Sequence, residues 1–271
     1  MTERFEVQPW KPSPTIRASF ALHAVAGLAL AVHPPAWPWA LGAVAANHAF
    51  LTALGLWPTS ALLGPNMLRL PLEAARRGAI ALTIDDGPDP VVTPALLDTL
   101  DRYGARASFF CIGVRAARHR DLVREIARRG HSVENHTQHH SPWFSLHGLR
   151  RLRVEIEAAQ DILGTLAGRA PRFFRAPAGL RSPLLDPVIN RLGLRQVAWT
   201  RRGFDTVTSD PARVLGRLTR RLVAGDILLL HDGGGRIASN GRAVALEVLP
   251  ALLEHIARRG WRCLSLPVAC P

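Results

Sequence analysis

Lysine is almost missing from this chain. Lys11 stands alone, so the formal net charge of +13 is an arginine charge. The sequence is also rich in Ala, Gly, Pro and Leu, and the bias therefore reads as coding composition rather than selection for arginine forks. No basic stripe interleaved with aromatics occurs, and the arginines are spread over helical stretches, so no nucleic-acid partner is expected. Attraction to an anionic membrane surface is the partner class the charge favours. Cysteine is scarce. Cys111, Cys263 and Cys270 make neither a disulfide framework nor a C-x-x-C metal knuckle. Cys111, in an apolar run, reads as a small buried hydrophobe, and a pairing of Cys263 with Cys270 is left open. Beyond an alternation of strands and helices, no repeat of solenoid or propeller type is present.

At 271 residues the chain can hold one large domain or two small ones. Residues 1–17 form a polar, proline-punctuated N-terminal segment. Residues 18–32 then carry no charge apart from His23 when protonated; Pro34, Pro35 and Pro38 interrupt, and 39–57 form a second apolar run. The runs are about 15 and about 19 residues long, against the roughly 20 of a spanning helix, and predict an apolar helical hairpin over 18–57 inserted in a membrane. Trp37, Trp39 and Trp57 fall where interfacial aromatics belong. Asn47 and His48, polar at membrane depth, are expected to pair across the hairpin. A cleaved signal peptide fits less well, because no small-residue cleavage site follows the first run. The loop between the runs lacks Lys and Arg, whereas Arg4, Lys11 and Arg17 precede the hairpin and Arg69, Arg76 and Arg77 follow it. The positive-inside rule then puts both ends in the cytoplasm, with the inner membrane as the expected location. Residues 58–78 read as a linker.

From residue 79 onward, strand-like runs at 79–85, 107–113, 131–136, 172–176, 195–200, 226–231 and 261–266 alternate with helical runs at 93–104, 116–129, 148–167, 183–192, 211–223 and 245–259. Most of these helices end at a glycine: Gly104, Gly130, Gly168, Gly193, Gly260. The alternation predicts an α/β catalytic domain over 79–271, a parallel barrel or open sheet of about seven strands, with function at the C-terminal strand ends.

Those ends carry the chemistry. The first strand stops in Asp85-Asp86-Gly87-Pro88, with Thr93-Pro94 reading as N-cap and first position of the next helix. Strand neighbours point to opposite faces, but beyond the strand end that rule relaxes, so both carboxylates can face one pocket. Crowded together they call for a cation or an arginine. The third strand ends in His136-Thr137-Gln138-His139-His140. Two imidazoles four apart, on one helical turn, share a face and suit zinc and similar ions, with His139 pointing away. One carboxylate added from the first strand makes a three-ligand site that leaves positions open for water. Arg175, flanked by apolar residues at the fourth strand end, needs a carboxylate partner. His231 ends the sixth strand and, beside a metal, is a candidate general acid; Ile227 and Leu229 share its face by the period of two.

These segments resemble the polysaccharide deacetylase family, also called the NodB-homology or carbohydrate esterase family 4 domain, over about residues 79–266. The resemblance rests on Thr83-Ile84-Asp85-Asp86-Gly87, on His136-Thr137-Gln138-His139-His140, on Arg175-Ala176-Pro177-Ala178-Gly179 and on Leu228-Leu229-Leu230-His231. It implies a distorted (β/α) barrel and metal-dependent removal of an N-acyl group from an amino sugar. Carried over residue by residue, it implies that Asp85 is the base, that Asp86, His136 and His140 hold the metal, that Arg175 orients Asp85 and that His231 is the acid. Ile227 and Leu229 would line the acyl-methyl pocket, and the Ala178 peptide N–H would face the carbonyl oxygen. The family's Asp-x-x-Asp-Trp motif is absent from Trp199-Thr200-Arg201-Arg202-Gly203-Phe204-Asp205. Asp205 or Asp210 is then the expected partner of His231. The expected cofactor is a divalent ion, zinc first, with cobalt, nickel or manganese as alternatives. The expected substrate is an acylated amino-sugar glycan or a lipid-linked saccharide. The alternatives are an inactive glycan- or lipid-binding module, and a deformylase or cyclic-amide hydrolase on the same scaffold.

Overall fold

The computed structural model describes residues 9–271, so the first eight residues of the N-terminal segment, Arg4 among them, lie outside the described residues. Two helices, α1 (Pro14–Val32) and α2 (Trp37–Gly55), come first. They are followed by α3 (Leu72–Arg76), β1 (Ala79–Asp85), α4 (Val92–Arg102), β2 (Ser108–Cys111), α5 (Gly113–Arg118), α6 (Arg120–Arg128), β3 (Ser132–Asn135) and α7 (Leu149–Ala167). The rest of the chain runs through β4 (Phe173–Phe174), α8 (Leu185–Arg191), β5 (Arg195–Gln196), β6 (Arg201–Arg202), α9 (Pro211–Thr219), β7 (Ile227–His231), α10 (Val244–Ala257), β8 (Arg262–Leu264) and α11 (Leu266–Ala269).

The strands form one parallel sheet in the order β5-β4-β3-β2-β1-β7-β6, with β8 paired to the first half of β1 and β2 to its second half. The chain is α/β, and the sheet curls into an incomplete barrel. Every residue of β1 and β7 is buried, which is why both read as unbroken apolar runs. Alternation splits their side chains into two layers. Ile80, Leu82, Ile84, Leu228 and Leu230 pack outward under α4 and α10, while Ala79, Ala81 and Ile227 pack inward with Phe110 and Phe173. Each large aliphatic side chain so buried contributes roughly 1.5–3 kcal/mol. The small inward residues of β1 leave room at its end for Thr83 and Asp85.

The fifth predicted strand is two short ones, β5 and β6. Between them the carbonyls of Val197 and Ala198 accept hydrogen bonds from the Arg175 guanidinium (3.2 and 2.9 Å), and the run leaves the ladder there. Part of the predicted linker bridges the resulting gap. Met67 pairs with Gln196 and Ala198 (2.9 Å each) and the Leu70 N–H donates to Gly225 O (2.9 Å), so residues 67–70 join β5 to the start of β7. The predicted helix 116–129 is likewise two helices, broken at His119. Capping of α4 also differs from expectation. Asp89 accepts from the Val91 and Val92 N–H groups, and Thr93 lies inside the helix with its hydroxyl turned to Asp232. The three cysteines are free and buried.

The predicted apolar helical hairpin is α1 against α2. Asn47 does pair across it, donating to Ser19 Oγ at 2.9 Å, and His48 meets His23 at 3.3 Å. Its outer surface exposes Phe20, Val25, Leu28, Val32, Trp39, Leu41 and Phe50. Among the described residues α1 is the one helix long and apolar enough to cross a membrane; α2 has the same length, but Asn47 and His48 lower its hydropathy. The base of the hairpin is fixed to the barrel. Trp10 Nε1 donates to Asp186 (2.7 Å), Ser13 Oγ to Leu62 O (2.7 Å), and the Arg181 N–H to Gly55 O (3.0 Å).

Candidate functional site

Asp85 is the last residue of β1 and sits level with His231 on β7 and Phe110 on β2. Asp86 follows with φ +75°, a left-handed conformation that aspartate tolerates better than most residues. This one backbone reversal brings both carboxylates to the same side, which strand alternation forbids. Gly87 is then required by close approach, since a Cβ there would lie 2.1 Å from the Asp232 carboxylate.

The two histidines are not on a helical turn. Residues 136–140 form a loop in which Thr137 (φ +68°) and His140 (φ +52°) are both left-handed. Side-chain hydrogen bonds hold it: Asn135 Oδ1 accepts from the Thr137 N–H (2.9 Å) and Thr137 Oγ1 from the His140 N–H (3.0 Å). The loop nonetheless turns both imidazoles the same way, and each Nε2 lies 3.2 Å from Asp86 Oδ1. His139 points elsewhere, to Glu155 at 2.8 Å.

Asp86, His136 and His140 thus offer three donor atoms within 4.8 Å of one another. His136 Nδ1 is 2.7 Å from the Arg175 carbonyl, which only accepts, so Nδ1 carries the hydrogen and Nε2 presents its lone pair. Burial pushes the Asp86 carboxyl up, but the hydrogen bond and charge of His136, with His231 and His140, outweigh it and hold Asp86 well below the usual range. Burial and the neighbouring His136 lower His140. Burial also acts to lower His136, yet the charges of Asp85 and Asp86 prevail and raise it; negative charge that attracts a proton attracts a cation equally. When His136 is neutral, with its hydrogen on Nδ1, the buried Asp86 Oδ1 has no hydrogen-bond donor among the described residues. Ligands about 2.0–2.2 Å from one zinc-type ion stand roughly 3.3–3.6 Å apart in tetrahedral geometry; the two imidazole–Asp86 separations are 3.2 Å, and all three donor atoms lie within 4.8 Å of one another. The residues present therefore fit a divalent ion.

Arg175 is wholly buried. Its NH1 donates to Asp85 Oδ1 (2.5 Å) and Thr83 Oγ1 (2.9 Å), and its guanidinium lies 4.2 Å from the Phe110 ring. Burial lowers its pKa, with the Asp85 charge opposing. At β7 the Asp205 carboxylate accepts from both the His231 backbone N–H (2.8 Å) and His231 Nδ1 (2.9 Å). Burial acts to lower His231, but Asp205 outweighs it and the imidazole is raised. Asp210 is not there; it caps α9, accepting from Ala212 and Arg213.

These side chains open on a cavity of about 250 Å³, lined by Asp85, Asp86, His136, His140 and His231 together with Ala178, Leu229 and Trp199. Ala178 sits left-handed (φ +53°) in the turn after β4. Ile227 does not reach the cavity. It lies one alternation deeper on β7, packed in the inner core against Ala81 and Phe110, because the site opens only at the strand tips. A larger cavity of about 470 Å³, near Met67 and Asp186, gathers no convergent set of ligands or nucleophiles. Sequence reasoning missed Thr83, which anchors Arg175, and Arg202 and Thr206, which also line the site. It missed Asp232 too, a carboxyl that burial pushes up to about 7 while Thr93 opposes. The absent Asp-x-x-Asp-Trp motif was the one signal pointing to Arg202 and Thr206.

A family model described as polysaccharide deacetylase matches residues 73–197. A peptidoglycan-N-acetylglucosamine deacetylase of Bacillus cereus is 31% identical over 189 residues, covering 69% of this chain and 85% of its own. A chitooligosaccharide deacetylase of Azorhizobium caulinodans is 32% identical over 206 residues, covering 72% and 98%. Among solved structures, a family 4 carbohydrate esterase from Streptomyces lividans in complex with acetate superposes with a TM-score of 0.62 at 30% identity, over 69% of this chain and 91% of the other.

Proposed function

This chain belongs to the polysaccharide deacetylase family, hydrolases acting on non-peptide carbon–nitrogen bonds, and from that premise we propose that it removes an N-acyl group, acetyl first, from an amino sugar in a metal-dependent reaction. The observation that carries the reading is the convergence of Asp86, His136 and His140 beside a cavity flanked by Asp85 and His231. Asp86, His136 and His140 would hold the ion, zinc before cobalt, nickel or manganese. Bound there, it would polarise the amide carbonyl and make water a stronger acid.

The remaining steps belong to the protein. Asp85 accepts the proton of the attacking water, with Arg175 supplying its counter-charge and fixing its position. The Ala178 peptide N–H stabilises charge developing on the carbonyl oxygen. Leu229 packs against the acyl methyl. His231, protonated, gives its proton to the leaving nitrogen as the carbon–nitrogen bond breaks, and Asp205 holds that imidazolium through Nδ1. The products are a carboxylate and a free amine. Release of amine and of acetate or formate from acylated amino sugars, lost on chelation and restored by divalent ions, tests the reading; a protein that binds acylated glycans without releasing amine is the inactive module instead.

The raised His231 gives a pH prediction. The acid must be protonated, so activity holds below its pKa and falls as pH rises through it. Asp205→Asn removes the supporting charge, and the alkaline limb of the kcat profile should move down by about one unit or more. Superimposable limbs in the two proteins would remove Asp205 from this role.

The hairpin supports a membrane-bound enzyme. Its apolar outer surface faces away from the barrel, and Pro58, just after α2, packs against Gly179 in the wall of the cleft. A lipid-linked saccharide at the inner membrane, cytoplasmic face, is accordingly our proposed substrate; the named substrates of the relatives favour a glycan polymer as the second reading. A C-terminal reporter active only on the cytoplasmic side, in the membrane fraction, is the expected result. Recovery of the protein on the outer side would transfer the assignment to the polymer.

A further inference from the structure

Among the groups around the cavity, Arg202 is a cation that no carboxylate among the described residues answers. Asp85 is engaged by Arg175 and Asp205 by His231, and among the described residues no carboxylate pairs with Arg202. Its Nε is buried without a hydrogen-bond partner. Its neighbour Arg201 points the other way, to Asp226 (3.2 Å), as strand alternation requires. Arg202 itself lies level with Leu229 on β7, and both residues line the cavity. The guanidinium lies near two rings, 5.4 Å from Trp199 and 4.9 Å from Phe204. Phe204 is held left-handed (φ +61°), a costly conformation for a bulky residue, with its ring over Arg202.

An arginine that needs only a counter-charge in the interior is normally seen paired with one. Here a second positive charge stands near Arg175, whose pKa it helps to lower after burial. Contact with two rings restricts its side chain, so less freedom is left to lose when an anion binds. The fork favours planar or bidentate oxyanions.

Resting on the deacylase reading above, we propose that Arg202 determines substrate specificity by binding an anionic group, phosphate or carboxylate, carried by the acylated amino sugar itself. Until that substrate arrives, no carboxylate among the described residues compensates the charge. Two of the residues lining the cleft, Arg202 and Thr206, lie in the stretch where the family's acidic and aromatic motif is absent, so the departure falls on the substrate-facing wall.

The full-length protein should be assayed on N-acetylglucosamine, N-acetylglucosamine 1-phosphate and N-acetylmuramic acid, reading kcat/KM from amine release. The expected result is a preference for at least one anionic sugar over the neutral one, eroded by added salt. Arg202→Gln should collapse that anionic-to-neutral ratio by roughly 10–100-fold, and Arg202→Lys should retain part of it. The phosphate and carboxylate arms identify which anion is read. An unchanged ratio in Arg202→Gln, or a wild-type preference for the neutral sugar, overturns the proposal. Equilibrium binding of the same sugars to Asp85→Asn and to Asp85→Asn/Arg202→Gln separates the two claims. If no sugar is hydrolysed, the deacylase reading fails, while anion binding lost with Arg202 upholds the role of this residue and equal binding overturns it.

Discussion

Replacing Asp85 by Asn should lower turnover on an acylated amino sugar by about 10²–10⁴-fold, the range set by loss of a general base. The substitution keeps the shape of the side chain and an oxygen for Arg175 NH1, whose bond to Asp85 is 2.5 Å. It removes the charge that, in the proposed mechanism, takes the proton. Asp86, His136 and His140 form a separate cluster, so metal content should stay near one ion per chain. Measuring kcat, metal content and Tm together makes the result readable: near wild-type turnover with metal retained would mean that another group is the base. Loss of metal along with turnover would place Asp85 in the ligand set, where its Oδ2 already stands 3.9 Å from His136 Nε2.

Arg175→Met should be the most destabilising of the site substitutions. The methionine fills much of the volume, yet it leaves the Asp85 carboxylate, the Thr83 hydroxyl and the carbonyls of Val197 and Ala198 without their donor. Breaking a buried ion pair by removing one partner costs about 3–5 kcal/mol, which corresponds to a fall in Tm of roughly 6–20 °C for a domain of this size. The damage spreads because those carbonyls belong to the segment linking β5 to β6, which carries Trp199 and leads to Arg202. The double variant Asp85→Asn/Arg175→Met should recover part of the lost stability, since no buried charge is then left alone. Additive losses in thermal unfolding of the two single variants and the double would show that the pair is not coupled, contrary to the geometry.

Much of the barrel was legible because its cause is local. Strands buried on both faces must be apolar throughout, helices between them end at glycines, and a carboxylate or histidine that interrupts an apolar run marks the strand tip. Asp85 and His231 announced themselves that way, Arg175 as a charge flanked by apolar residues, and His136 by its spacing from His140. The unreadable features depend on partners far away in the chain. The division of the fifth strand follows from where the Arg175 side chain lands. The ordering of residues 67–70 follows from the gap that this division leaves. Ile227 and Leu229 look equivalent by alternation, and only the depth at which the barrel opens separates them. Asp205 was the first candidate and Asp210 its alternative; the turn after β6 delivers Asp205 to His231, and Asp210 caps α9.

The succession of strands and helices along the chain and the candidate residues at the strand tips were therefore written in residue types and spacing, because burial and the period of two act residue by residue. What only the tertiary structure decided was direction: which way Asp86 turns at φ +75°, how a loop rather than a helix aims His136 and His140 at it, and that Arg202 faces the cavity without a counter-charge. Directions at strand tips are set by backbone conformations and by contacts between segments as distant as Asp86 and His231, and no pattern along one stretch of sequence encodes them.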